Sequence, residues 1–99
     1  MNDPTRAEKL YWNRLATEVG CICCHVNGTF NDHVSIHHIG GRAKPGAHKN
    51  VLPLCYEHHQ GGNELHPSIH PWKARFEAKY GTQEYLKKLA DGILGEPLE

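Results

Sequence analysis

Ninety-nine residues, eleven Lys plus Arg against eleven Asp plus Glu, and 38% hydrophobic content describe one domain with a small core and no net charge. That balance excludes a highly basic nucleic-acid coat but not a local basic patch, and no apolar run is long enough to cross a membrane. The opening "MNDPTRAEKLYW" lacks the apolar centre of a secretory signal, so a cytoplasmic location is expected, where Cys21, Cys23, Cys24 and Cys55 serve as metal ligands or buried thiols rather than disulfides.

Taken in order, Asp3 reads as an N-cap with Pro4 at the first helical position, and Leu10 or Tyr11, Leu15 and Val19 recur at helical spacing until Gly20. From Cys21 to Ile39 the texture suggests short β segments around "VNGTFND", with Asn27-Gly28 as a hairpin turn and Val34, Ile36 and His38 alternating as in a strand. "GGRAKPGAH" is a loop, and Val51 to Leu54 is a short extended piece interrupted by Pro53. Tyr56 to Gln60 makes a helical turn ended by Gly61-Gly62. A helix over about Pro71 to Tyr80 stops at Gly81, and Thr82 caps another reaching about Ala90, with Leu86, Leu89 and Ile93 facing inward. The expected class is α+β in a single domain over 1–99: an N-terminal helix in 1–20, a central unit in 21–62 and C-terminal helices in 63–91.

Chemistry concentrates in the centre. Cys21-x-x-Cys24 is followed, after thirty intervening residues, by Cys55-x-x-His58, a pairing of knuckles that supplies three thiolates and one imidazole to a tetrahedral structural zinc. Cys23 could enter a shorter C-x-C pair with Cys21, but is read as pointing away. With Cys55 and His58 so assigned, His37, His38, Asn50, His59 and His70 remain without a structural duty. Phosphodiester hydrolysis needs a base for the attacking water and a cation for the developing charge, and neutral imidazole serves as base or ligand near pH 7.

In "GCICC", "SIHHIGG", "VLPLCYEHHQGG" and "SIHPWKARFEAKYGT", in this order from about Gly20 to Leu89, the chain resembles the HNH (His-Me finger) endonucleases, and within them the Ref family of phage recombination-enhancement nucleases. The resemblance implies a ββα-metal core over one catalytic divalent cation. It implies His38 as general base, His37 at the preceding metal-side position, Asn50 as the middle asparagine, His59 as a metal ligand and His70 as a further histidine of the Ref pattern, and His37 and His70 are read as joining His59 on the cation. It also implies DNA as substrate, a RecA filament as partner, and a phage protein acting in a bacterial host.

Physical limits bear on these roles. Neighbouring side chains of a regular strand point to opposite faces, so His37 and His38 reach one ion together only if the backbone bends, for which Gly40-Gly41 offers freedom; otherwise His38 acts and His37 orients a neighbour or touches phosphate. Adjacent His58 and His59 diverge by about 100° on a helix, which suits two separate sites in either assignment. Asn50 serves by clamping loop backbone. His66 is read as a solvated loop residue. No Asp or Glu precedes the base, so imidazole-loving zinc, manganese, cobalt or nickel suits the site better than magnesium. Between His33 and Tyr56 there is no acid, and Arg42, Lys44 and Lys49 there are the expected DNA contacts, with Lys73, Arg75 and Lys79 second. Trp72, Phe76, Tyr80 and Tyr85 read as packing. A zinc-stapled nucleic-acid-binding or adaptor module without catalysis is the alternative, distinguished by binding one ion instead of two.

Overall fold

The computed structural model describes residues 3–95, in which five helices surround a two-stranded sheet. Helix α1, Arg6–Arg14, is capped by Thr5 and not by Asp3: the Thr5 hydroxyl accepts from Glu8 N at 3.1 Å while Glu8 Oε1 accepts from Thr5 N at 2.7 Å. Two reciprocal bonds satisfy more of the first turn than one Asp could, so the cap moves past Pro4. Leu15–Val19 continues as a wider π turn, closed by Gly20 N donating to Leu15 O at 2.8 Å. Gly20 has φ of 70°, and a Cβ there would stand 2.7 Å from Asn31 O, so glycine is required. Leu15 and Val19 are fully buried and Tyr11 half-buried, whereas Leu10 is exposed.

The segment after Gly20 corrects the sequence reading. Ile22–Val26 is a helical turn, α2, and not a strand; His25 N donates to Cys21 O and Asn27 N to Cys23 O. Asn27-Gly28 consequently ends a helix and turns no hairpin. The hairpin is formed later, by β1 (Val34–His38) and β2 (Val51–Cys55), antiparallel with Val34 opposite Cys55 and His38 opposite Val51. Each strand of a two-stranded sheet has one unpaired edge, which accommodates Pro53 opposite Ile36.

Cys55 leads directly into α3, Tyr56–His59. Gly61 and Gly62 follow it, where a Cβ at Gly61 would meet the Tyr56 ring at 2.2 Å and one at Gly62 would meet His66 O at 2.3 Å. Helix α4 spans Ile69–Tyr80, but His70, Pro71 and Trp72 have non-helical angles, so regular helix begins at Lys73, two residues later than the proline suggested. Helix α5, Gln83–Leu94, is capped by Thr82, whose hydroxyl accepts from Tyr85 N at 3.1 Å. It runs beyond Ala90 to Gly95, whose φ of 77° ends it; Leu86 and Leu94 face inward, Leu89 is half-buried, and Ile93, expected inside, is 37% exposed. Tyr11 Oη donates to Asp91 at 2.5 Å and Lys87 Nζ to the same carboxylate at 2.6 Å, tying α1 to α5. The core beneath the sheet includes Leu15, Ile22, Leu52, Leu54, Ile69, Phe76 and Leu86. The molecule is thus a small α+β protein.

Two candidate metal centres

Both centres hang on the junction of β2 and α3. Cys55 closes the strand, and three residues later the helical turn presents His58 to one side and His59 to the other. On the His58 side lie Cys21 at the entrance of α2 and Cys24 within it. His58 Nδ1 stands 3.4 Å from Cys21 Sγ, 3.7 Å from Cys24 Sγ and 3.1 Å from Cys55 Sγ, and Cys24 Sγ is 3.9 Å from Cys55 Sγ. Around a tetrahedral zinc, sulfurs at about 2.3 Å and a nitrogen at about 2.0 Å leave edges of roughly 3.8 Å between sulfurs and roughly 3.5 Å from sulfur to nitrogen. Cys21, Cys24, Cys55 and His58 could therefore hold one metal ion. His58 Nε2 lies 3.2 Å from Tyr80 Oη, which fixes Nδ1 as the nitrogen facing the sulfurs.

Electrostatics argue the same way. The Cys21 thiolate is stabilised, to about 3, first by the Cys23 thiol and then, against burial, by His58. Burial and the neighbouring Cys21 charge push Cys24 up to about 12, and burial pushes Cys55 up. Three gathered sulfurs resist ionising together unless a cation joins them. Cys23 stays outside this group: it is fully buried, and the neighbouring Cys21 sulfur first, then burial, push its thiol pKa up.

On the other side His37, His59 and His70 converge. Their ring centroids form a nearly equilateral triangle, 5.2 Å from His37 to His59, 5.2 Å from His37 to His70 and 5.3 Å from His59 to His70. An ion about 2.1 Å from each ring nitrogen at tetrahedral angles would set the centroids roughly 5.2 Å apart. His59 Nδ1 is 2.9 Å from Ser35 Oγ, whose hydroxyl donates to Leu54 O at 3.4 Å; the serine therefore accepts from Nδ1–H and leaves Nε2 with the lone pair. Burial lowers the pKa of both His37 and His59, keeping them in the neutral form that ligates metal. These three histidines, too, could hold an ion.

The triad forms part of a cavity of about 490 Å³ whose wall also includes His38, Gly40, Gly41, Arg42, Lys73 and Gln83. Strand β1 stays regular through His38, so His37 and His38 leave it on opposite sides, and His38 approaches the cavity without joining the triad. His38 Nε2 lies 2.9 Å from Nδ1 of the buried His48, and the Trp12 ring stands edge-on to both imidazoles while its Nε1 donates to His48 O at 2.6 Å. Burial, then Arg42, then His48, lower the His38 pKa. Asn50 Nδ2 donates to Ile39 O at 3.1 Å, and Ile39 N to Asn50 O at 2.9 Å, closing the loop directly after His38.

Of the cationic residues, Arg42 reaches the cavity wall, and Lys44 and Lys49 are exposed on the same loop. Lys73 also lines the cavity, whereas Arg75 pairs with Glu64 at 3.7 Å and Lys79 lies over the Tyr80 ring. His66 is exposed, 2.9 Å from Asn63 Oδ1 through its backbone N. Phe76 and Tyr80 are packed inside as expected, while Tyr85 is 56% exposed. Sequence reasoning missed Ser35, His48, Gln83 and Trp12; of these only Ser35 carried a local signal, sharing the strand face of His37.

A small α+β protein with a thiolate-rich cluster and a separate imidazole triad is a candidate two-site metalloprotein. The family described as "Recombination enhancement, RecA-dependent nuclease" matches residues 4–94, and the chain belongs to that family. It is also 36% identical, over 80 residues, to "Uncharacterized protein YdfU" of Escherichia coli (strain K12); the match covers 75% of this chain and 21% of that protein, so the chain spans about a fifth of its relative's length. The description of that family names a recombination-related, RecA-dependent nuclease. No helix among the described residues is long and apolar enough to cross a membrane.

Proposed function

We propose that this chain is a metal-dependent DNA endonuclease of the HNH, or His-Me finger, type, with β1, β2 and α3 as its ββα-metal core, and that it hydrolyses phosphodiester bonds with little sequence preference. The observation that carries this reading is the equilateral imidazole triad in one cavity with His38. His37, His59 and His70 hold a divalent cation, which, when bound, offsets charge on the phosphate and the departing oxygen. His38 takes the proton from the attacking water, and its lowered pKa keeps it able to accept one at neutral pH. Asn50 holds the loop that follows the base at fixed distance from β2. Arg42, Lys44 and Lys49 bind backbone phosphates, a contact that positions DNA without reading bases. Cys21, Cys24, Cys55 and His58 hold a structural zinc. Direction of the cut by a RecA filament during recombination rests on the family description.

The test is cleavage of supercoiled plasmid with zinc, manganese, cobalt, nickel or magnesium, with and without a RecA-coated strand, alongside a count of bound metal. Two ions per chain and cleavage by the wild type are expected, and His38→Ala should lower the rate at least roughly 10²-fold without changing metal content. Intact plasmid under every condition would sink the proposal, and one ion per chain would favour a non-catalytic adaptor.

A further inference from the structure

The imidazole triad has no carboxylate among its three rings, yet one of them is connected to a carboxylate through the protein. His37 is 8% exposed, and its Nε2 lies 2.8 Å from Oε1 of Gln83, which is 7% exposed. The other end of that amide, Gln83 Nε2, donates to Glu77 Oε2 at 3.2 Å. A carboxylate only accepts, so the NH₂ end must face Glu77 and the carbonyl must face His37. A carbonyl in turn requires a donor, so His37 carries its proton on Nε2. An ion cannot share the direction already occupied by Gln83 Oε1, which leaves Nδ1 as the atom facing the ion.

The placement follows from the connection between α4 and α5. Gly81 has φ of 104° and Thr82 caps the next helix, so α4 gives way to α5 within two residues. Glu77, in the last turn of α4, and Gln83, first residue of α5, are thereby brought within hydrogen-bond distance beneath His37.

We infer that Glu77 and Gln83 are positioning residues for the candidate ion site: they lock the His37 tautomer and pass a carboxylate's negative charge through one amide to an otherwise neutral ligand set. The inference rests on the reading of His37 as a ligand. Hydrogen bonds of this kind orient an imidazole and raise its basicity, and losing them typically weakens metal binding by about 10- to 100-fold. Ser35 orients His59 in the same manner but brings no charge.

The experiment is a cobalt(II) titration of the full chain with its thiolate site already filled, reading the dissociation constant of the second site. Gln83→Leu should weaken that site by about 10- to 100-fold, and Glu77→Gln by a smaller factor in the same direction. The double exchange Gln83→Glu with Glu77→Gln keeps an acceptor against His37 and an amide donor beside it, and should restore wild-type affinity or better. Nitrogen NMR of the His37 ring in the wild type should show the Nε2-protonated tautomer. A folded Gln83→Leu chain that binds the second ion as tightly as wild type overturns this inference alone. A wild-type chain that takes up one ion only overturns it together with the proposed nuclease site.

Discussion

Replacing Cys55 by serine should unfold this domain. Cys55 is 3% exposed, ends β2 opposite Val34, opens α3, and stands 3.1 Å from His58 Nδ1 and 3.9 Å from Cys24 Sγ. Serine preserves size and hydrogen bonding but supplies no anion at neutral pH, so an ion held by the cluster would lose one of three thiolates. In small zinc-bound peptides the ion contributes on the order of 10–16 kcal/mol, whereas the net stability of a whole domain is about 5–15 kcal/mol. Losing even about 5 kcal/mol would lower the melting temperature by at least about 20 °C, since 1 kcal/mol corresponds to about 4–8 °C in a chain of this size. The apolar core does not replace the cluster, because Cys21 and Cys24 on one side and Cys55 and His58 on the other pin α2 to the strand that carries α3. Thermal melts followed by circular dichroism, with metal content measured on the same samples, supply the check. Cys23→Ala is the control: equally buried but outside the cluster, it should keep its ion and melt a few degrees lower. A Cys55→Ser protein melting cooperatively within a few degrees of wild type would refute the reasoning, as would a Cys23→Ala protein equally damaged.

Three further outcomes are expected. Gly81→Ala places a Cβ 2.8 Å from the Tyr85 ring at φ of 104° and should cost about 1–3 kcal/mol, read as a lower melting temperature; an unchanged melt would contradict the strain. In the proposed mechanism the neutral form of His38 is the base, and its folded pKa lies below the ordinary 6.5 because of burial first and Arg42 second. The acid limb of the pH–rate profile should therefore have its midpoint below 6.5, and Arg42→Gln should raise that midpoint; no movement, or movement downward, would remove Arg42 from the account. Lys44→Ala and Lys49→Ala should each flatten the logarithmic salt dependence of duplex binding by roughly 0.9 per lost phosphate contact, and an unaltered slope would show that neither meets DNA.

What could be read from the sequence was local or carried by residue type. Gly20, Thr82 and the Gly61-Gly62 pair mark helix ends through backbone requirements that act within a few residues, and the ligand-type residues announced themselves by identity. The hairpin was misread for the complementary reason. Asn27-Gly28 is a good turn dipeptide, but β1 finds its partner across the whole loop from Ile39 to Asn50, and the Cys21–Cys24 segment curls into a helical turn that aims both sulfurs at His58. Local propensity cannot express either preference, because the strand pairing is decided by residues 13 to 21 positions away and the helical turn by a histidine 34 to 37 positions away. Gln83 and Glu77 were invisible too, since an amide on one helix and a carboxylate on another have no spacing rule linking them to a histidine on a strand.

The adjacent histidine pairs show how one short stretch can serve two centres. In β1 the twofold alternation sends His37 into the triad and leaves His38 beside it against His48 and Trp12. In α3 the turn of about 100° per residue sends His58 to the sulfurs and His59 to the triad. Neither pair needs a distorted backbone, because in each case the regular geometry already separates neighbours. A shift of one residue in the register of β1 against β2 would exchange His37 for His38 at the triad and place Ser35 on the far face, away from His59. The pairing of Cys55 with Val34 opposes such a shift, since sliding the strand would also carry β1 past the last residue of β2, the residue whose sulfur belongs to the thiolate cluster. An ion bound at the thiolate cluster would therefore fix the same register that aligns the imidazole triad.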